Sequence, residues 1–377
     1  MLTINEFEAA VFKALELEPG EEQLDEWAMS YERLQSRLTR HRKQSLQKES
    51  SAAGEEGAGD VIRGIVHAGR TFRIAQRILH AYRPPSGRML EIGAGIGPFA
   101  FAAHNMLGEP VTILEKNRRM LKNSIRLFEA AGMEAPKTIH SDATQPITYR
   151  QYAAVFAPFV LNEILTKADS EDMLDVGRRQ IKSWLTACRR GGRLYILEPG
   201  TREASRNLQA LRDLIKDEFH VVGPCTHDSA CPMLDGEKDW CHFTWRVEAG
   251  EWAQKIAEAA KRRFQELHFS WLLVENRRPE EKAPHRVRLM DIRRNDKNKL
   301  RVVTCTHDGL ETFVVQKRNK ATYKAIDSFQ SGDELQVDVS KLERKGDGFR
   351  LESETQIDGR FALMDALDRT DDSEPHS

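Results

Sequence analysis

The sequence has no apolar run approaching the roughly 20 residues needed to span a bilayer, which excludes a helical membrane protein and leaves no membrane partner to expect. Cysteine is scarce and odd in number, five in 377 residues, which argues against a disulfide framework. Net charge is nearly absent, at −1, so any nucleic acid must be held by local patches rather than by the field of the whole molecule. The opening Met1-Leu2-Thr3-Ile4-Asn5-Glu6-Phe7-Glu8 has neither the basic lead of a secretory signal nor the Arg-rich, acid-poor character of an organelle presequence, so the expected compartment is the cytoplasm. No internal repeat of fold size is found. What remains is a chain long enough for two or three domains, with 40% apolar residues to build a core in the largest.

The most informative stretch is Leu90-Glu91-Ile92-Gly93-Ala94-Gly95-Ile96-Gly97, followed by the apolar Phe99-Ala100-Phe101-Ala102-Ala103. It reads as a strand, a tight loop and a helix start. Glycine there permits backbone dihedrals closed to other residues and lets a ligand approach the main chain. The alternation of Gly93, Gly95 and Gly97 after Glu91 departs from the dinucleotide pattern G-x-G-x-x-G, and no Gly-Lys-Ser/Thr of a P-loop follows. It resembles the E-x-G-x-G-x-G loop of class I S-adenosylmethionine-dependent methyltransferases. Later segments agree. Val111–Leu114 reads as a buried strand ending in Glu115, where a carboxylate can accept both ribose hydroxyls. Residues 137–143 place Asp142 at a strand end, the position at which that family usually contacts adenine. Residues 153–163 run from a strand into the loop expected to face the methyl group, and Gly191-Gly192 precedes a fifth strand.

The expected fold class is α/β: a class I methyltransferase Rossmann-like sheet with an N-terminal helical region and a small C-terminal β-domain. Residues 1–85 read as helical, interrupted by a polar, glycine-bearing mobile loop at about 41–60. An amphipathic stripe from Ile62 to Leu79 stops before Pro84-Pro85; its Arg63, Arg70, Arg73 and Arg77 read as a solvated face, with RNA contact as the sharper alternative. The cofactor domain is expected over 86–276, with a cysteine-bearing loop at 223–242. Short alternating segments over 277–357 read as a barrel of OB or SH3 kind, and 358–377 as an acidic tail.

Cys225, Cys231 and Cys241, with His227 and His242, fall in a loop rich in Pro, Gly and Asp. Such a loop cannot bury three thiols as ordinary hydrophobes, and thiolates stay together only around a cation or cluster, so a metal site is the natural reading. The spacing is neither the C-x-x-C knuckle of zinc ribbons nor a ferredoxin run, and it does not name the metal. Cys305, at the end of a β-domain strand, is the strongest candidate for a fourth ligand, while His227 or His242 would serve zinc. Cys188, within an amphipathic helical stretch, reads as core.

The phrase Cys-Thr-His-Asp-Ser-Ala-Cys-Pro with Asp-Trp-Cys-His-Phe, together with Leu161-Asn162-Glu163 and Leu197-Glu198-Pro199-Gly200-Thr201, resembles the methyltransferase-like proteins of small-ribosomal-subunit assembly, which have mitochondrial and bacterial members. The resemblance covers most of residues 60–310. It implies association with the small ribosomal subunit or its precursor and with rRNA, a monomer off the ribosome, an S-adenosylmethionine pocket, and a [4Fe-4S] cluster on Cys225, Cys231, Cys241 and Cys305, with zinc as the alternative.

Methyl transfer itself is less clearly written. The loop after the fourth strand is not Asn/Asp-Pro-Pro-Tyr and holds no Pro-Cys pair, leaving Asn162 and Glu163 as the polar catalytic candidates; a helix-start cap and a salt bridge are their bland alternatives. Two functions stay open: an assembly factor that binds the cofactor, or an active rRNA methyltransferase with a structural metal. Between Asn276 and Lys324, fourteen Lys and Arg stand against six Asp and Glu, a surplus suited to sequence-tolerant phosphate contact.

Overall fold

The structure is a computed structural model describing residues 1–39, 57–149, 151–169, 172–236, 239–246, 249–262, 266–280, 285–346, 348–352 and 358–360. The chain divides into two compact units, Met1–Leu197 with Arg246–Leu267, and Glu198–Trp245 with His268–Ser377. No helix among the described residues is long and apolar enough to cross a membrane.

The first unit is built on five parallel strands: β1 (Met89–Ile92), β2 (Val111–Glu115), β3 (Lys137–His140), β4 (Tyr152–Pro158) and β5 (Cys188–Pro199). Their order is β3-β2-β1-β4-β5. β1 pairs with β2 from Met89↔Val111 to Ile92↔Leu114, and with β4 from Met89↔Ala154. β1, β2 and β4 are buried at every position, as strands covered on both faces must be, and so read as continuous apolar runs rather than alternations. The order reverses direction at β1 and β4, which opens a crevice beyond their carboxyl ends where ligands of such sheets bind. This is the class I methyltransferase arrangement.

Helices lie between the strands and before them. Ile4–Ala14 begins with a reciprocal cap, in which Thr3 Oγ1 accepts from the Glu6 N–H at 3.2 Å and Glu6 Oε2 accepts from the Thr3 N–H at 2.7 Å. Its Phe7 stacks on Phe72 at 4.5 Å. Phe12 joins Trp27 and Trp252 in an aromatic cluster with centroid separations of 5.6–5.8 Å. Most of the loop expected at about 41–60 lies outside the described residues, but the chain is already helical over Ala58–Val61. It then widens into a π-helical stretch, Ile62–Ala68, before the regular helix Gly69–Ala81. The solvated basic face expected there is corrected: Arg77 is 1% and Arg73 8% exposed, because this helix is covered on nearly every side. The Arg73 guanidinium donates to Gln76 Oε1, and Gln76 Nε2 in turn donates to the Leu2 carbonyl. Cys188 is buried as expected, but as the first residue of β5 and not as part of the preceding helix, which ends at Ala187.

The second unit carries the helix Arg202–Ile215, strand β6 (His220–Gly223), strand β7 (Phe243–Arg246) and strand β8 (Glu266–Glu275). β6 runs antiparallel to β8 through Val221↔Val274, and β7 also pairs with β8. The rest is a β-module: β9 (Arg286–Asp296), β10 (Lys299–Thr306), β11 (Gly309–Gln316), a helix Lys320–Asp327, β12 (Glu334–Gln336), β13 (Arg344–Lys345), β14 (Gly348–Leu351) and β15 (Asp358–Arg360). β9, β10 and β11 form an antiparallel meander, β12 returns to pair with β9, and β14 runs parallel to β11. A helix between the third and fourth strands, with a parallel closing strand, is OB-like connectivity rather than SH3-like. Strict alternation along β10 sends Leu300, Val302 and Thr304 inward to a core with Phe313, Val315, Ile326 and Leu335. β15 falls within the stretch expected to be tail; residues 361–377 lie outside the described residues.

Candidate functional site

A cleft of about 470 Å³ opens in the first unit at the carboxyl ends of β1–β4. Gly93, Gly95 and Gly97 all take left-handed φ, at 60°, 56° and 78°, so each is a position that side chains rarely adopt. Their surroundings differ. A Cβ on Gly97 would lie 2.3 Å from Ile113 Cδ1, and one on Gly93 2.6 Å from Val160 Cγ2, whereas one on Gly95 would meet nothing within 4 Å. Gly97 is therefore glycine for packing, and Gly93 both for packing against Val160 and as part of the cleft lining. Gly95 exposes its main chain to the cleft.

Two carboxylates hold this loop. Glu115 accepts from the Gly95 N–H through Oε2 and from the Asn117 N–H through Oε1, both at 2.9 Å. Glu91 is fully buried, and its Oε2 accepts from the Ala100 N–H at 2.6 Å, at the start of the helix Pro98–Leu107. Burial pushes the Glu91 carboxyl up to about 8, against the pull of the Ala100 and Phe99 N–H groups. Its other oxygen, Oε1, is buried with no hydrogen-bond partner among the described residues, consistent with a protonated carboxyl.

Of the expected cofactor-binding residues, Gly93, Gly95, Glu115 and Asp142 line the cleft; Glu91 and Gly97 shape the loop from behind it. Asp142 accepts from the Thr144 N–H at 2.9 Å and its hydroxyl at 2.7 Å, and the N–H foremost holds its carboxyl below the usual range. Of the expected catalytic pair, Glu163 lines the cleft. Asn162 is 6% exposed and donates to the Phe159 carbonyl at 3.2 Å, a local helix-start bond. The cleft also has residues that sequence reasoning missed. Arg63, Lys116, Arg119 and Lys167 give it a basic rim, with Arg63 and Arg119 both bridged to Asp60, at 3.5 and 3.1 Å. Phe159 lines it with a left-handed φ of 59°, a conformation costly for an aromatic residue and found where structure around a site enforces it. Nothing in sequence periodicity signals that angle.

The four expected metal ligands all fall within the second unit. Burial, and then the charge of Cys225, pushes the Cys231 thiol up to about 12. Burial raises Cys241 and Cys305 as well, each reinforced by its neighbours: Cys225, Cys305 and Cys231 act on Cys241, and Cys225 and Cys231 on Cys305. The thiols thus lie within electrostatic reach of one another. Among the described residues no three His, Cys, Asp or Glu side chains stand in metal-ligating geometry. His227 Nε2 lies 3.3 Å from Cys305 Sγ, and Ser229 Oγ lies 3.3 Å from His307 Nδ1. The chemistry of this donor set suits a thiophilic centre, since a bound cation is what lets several crowded thiols ionise together.

What the sequence did not indicate is the frame around these thiols. From the helix Arg202–Ile215, Arg206 donates to the Met233, Leu234, Gly236 and Asp239 carbonyls, and Arg212 to those of His227 and Ser229. Asp213 accepts from the Cys231 N–H at 2.9 Å. Arg288 on β9 donates to the Pro224 and Gly332 carbonyls at 2.7 Å and to Glu334 at 3.0 Å.

On the β-module the basic surplus is partly paired. Arg293 and Arg294 are exposed but bridge Asp291 and Asp327, at 3.2 and 2.8 Å. Arg344 bridges Glu311, and Arg288 is buried at the cysteine site.

Several solved structures are similar to parts of this chain. TrmN from Thermus thermophilus is 17% identical over 57% of this chain and 53% of its own, with a TM-score of 0.36, so the chain spans about half of that protein. An S-adenosylmethionine-dependent methyltransferase from Leishmania major is 14% identical over 62% of this chain and 82% of its own, with a TM-score of 0.39. The magnesium protoporphyrin IX methyltransferase ChlM from Synechocystis is 11% identical over 65% and 96%, with a TM-score of 0.36. No curated protein matches in sequence. The family model described as mitochondrial small ribosomal subunit Rsm22 matches residues 69–336, a span that includes the glycine loop, all of the cleft lining but Arg63, and the four cysteines, and the chain therefore belongs to the Rsm22 family.

Proposed function

We propose that this protein is a small-ribosomal-subunit assembly factor that binds S-adenosylmethionine in the cleft of its first unit, carries a [4Fe-4S] cluster on Cys225, Cys231, Cys241 and Cys305, and contacts rRNA through its β-module. The observation that carries the reading is the pairing, within one member of this family, of an open glycine main chain at Gly95 with a three-cysteine loop that meets the fourth cysteine, His227 Nε2 lying 3.3 Å from Cys305 Sγ. Glu115 would take the ribose hydroxyls, Asp142 the adenine edge, and Gly93 and Gly95 the close approach of the methionyl part. Bound there, S-adenosylmethionine supplies an electrophilic methyl group. The chain's own contribution is to fix the loop through Glu115 and Glu91 and to line the cleft with Glu163 and Phe159. OB-like modules hold nucleic acid on a strand face and adjoining loops, which supports assigning rRNA to β9–β11.

A second reading, an active S-adenosylmethionine-dependent rRNA methyltransferase with a structural metal, is favoured by the position of Glu163 on the cleft wall. Two measurements separate these readings. Iron, zinc and acid-labile sulfide are determined on protein purified without oxygen; iron and sulfide near four each per chain support the cluster, and zinc without sulfide supports the structural-metal reading. Radiolabel is then followed from the cofactor into small-subunit RNA. Label that enters and is lost in Gly95→Asp supports the enzyme, and cofactor binding without label supports the assembly factor. A chain with neither metal nor cofactor binding refutes both.

A further inference from the structure

The cysteine site is divided between a loop and a β-strand that are far apart in sequence, and two buried arginines hold it, one between strand and loop and one between loop and helix. Arg288 is the direct partner of Cys305 across the β9–β10 ladder. From there its guanidinium reaches the carbonyl of Pro224, the residue before Cys225, so one side chain ties β9, the ladder neighbour of the strand bearing the fourth thiol, to the start of the loop bearing the other three. Arg212 enters from the helix Arg202–Ile215 and donates to the carbonyls of His227 and Ser229, which lie between Cys225 and Cys231. Both arginines are 2% exposed. Each retains a carboxylate partner, Asp213 for Arg212 and Glu334 for Arg288, so neither is an isolated buried charge.

Both guanidiniums stand at the segments that carry the thiols, Arg212 on the carbonyls between Cys225 and Cys231 and Arg288 beside Cys305 and on the carbonyl before Cys225. A centre bound by four thiolates carries net negative charge into a dry site. Two guanidiniums beside it offset part of that cost, and their N–H groups hold the loop carbonyls so that less ordering is left to do when the centre binds.

We propose that Arg212 and Arg288 are the positioning residues of the four-cysteine site, Arg288 clamping the Cys225–Cys231 loop to the strand pair that bears Cys305, Arg212 fixing the same loop to the helix Arg202–Ile215, and both balancing the charge of the metal–thiolate centre. This rests on the metal reading of the cysteines given above. Neither arginine is a ligand.

The test measures metal retention and uses a probe independent of the native metal. Anaerobically purified wild type, Arg212→Met, Arg288→Met, Arg288→Lys and the paired replacement Arg288→Met/Glu334→Leu are challenged with a chelator, and metal loss is followed by absorbance. The metal-stripped chains are titrated with Cd²⁺, followed by the thiolate-to-metal ultraviolet band. Urea midpoints report whether each variant is folded; the single replacement leaves Glu334 with Arg286 as its partner, and the paired one removes both buried charges and leaves the half-exposed Arg286 to solvent. The expected result is metal loss about 10- to 100-fold faster and Cd²⁺ affinity lower by a similar factor in each Met variant, the paired one included, the scale on which groups supporting metal ligands act. Arg288→Lys, which keeps the charge, recovers most of the loss. Folded Met variants that hold metal and Cd²⁺ like the wild type overturn the clamp while leaving the metal reading intact. A wild type purified without iron, sulfide or zinc overturns the metal reading, and the Cd²⁺ titration still decides the clamp. Equal losses in the Lys and Met variants overturn the charge-balancing role.

Discussion

The three loop glycines offer a separation of folding from binding that can be worked from their surroundings. Alanine at Gly95 must adopt a φ of 56°, which costs an L-residue about 1–2 kcal/mol, but its methyl group meets nothing within 4 Å. Alanine at Gly97 meets the same backbone cost and also places its methyl 2.3 Å from Ile113 Cδ1, in the centre of the buried β2 strand. Forcing an extra methyl into such packing adds typically 1–3 kcal/mol, for a total of about 2–5 kcal/mol. Gly97→Ala is therefore expected to lower the urea midpoint more than Gly95→Ala. Binding should rank the other way. The Gly95 methyl points into the open cleft, where a nucleoside must approach the main chain, so Gly95→Ala is expected to weaken S-adenosylmethionine binding at least tenfold by calorimetry while remaining folded at 25 °C. If Gly95→Ala binds the cofactor like the wild type, or loses more stability than Gly97→Ala, the assignment of Gly95 to the ligand and Gly97 to the core is wrong.

Other perturbations follow from the same geometry. Glu115→Gln keeps one acceptor for the Gly95 and Asn117 N–H groups but loses the carboxylate that would take both ribose hydroxyls; calorimetry should show cofactor affinity reduced about tenfold, and equal affinity would remove Glu115 from the site. Glu8 is 1% exposed, accepts from the Trp252 and Ala253 N–H groups, and has its carboxyl pushed up to about 7, chiefly by burial. The folded state thus binds the extra proton between the usual carboxylate pKa and about 7, and Glu8's contribution to stability should fall as pH rises through that window and level off above it. Urea midpoints of wild type and Glu8→Gln between pH 5 and pH 8 report this, and a slope shared by both chains would refute it. Arg293→Glu with Arg294→Glu, at exposed positions of β9, should abolish retention of small-subunit RNA on filters with little change in the urea midpoint; unchanged retention would move the RNA surface elsewhere.

Local chemistry made several features legible. The alternate glycines and the acidic ends of the strands are legible because each is a backbone or charge requirement confined to a few residues, and Gly93, Gly95, Glu115 and Asp142 line one cavity. Strand alternation over 286–337 specified a β-module, and its cysteine-bearing strand β10 was readable as the bearer of Cys305. Tertiary contacts decided the rest. Arg73 and Arg77 carry the same charge as any surface arginine, and only the covering of their helix on nearly every side made them interior residues. Glu91 belongs to the motif, yet its depth behind the loop makes it a helix-start acceptor and not a lining residue. OB-like rather than SH3-like connectivity depended on β14 choosing β11 as a parallel partner, a long-range pairing that alternation along one strand does not encode. The arginines around the cysteines were illegible for the same reason: Arg288 acquires its role from facing Cys305 across a strand ladder and Pro224 across more than sixty residues of chain, and sequence spacing carries no record of either approach.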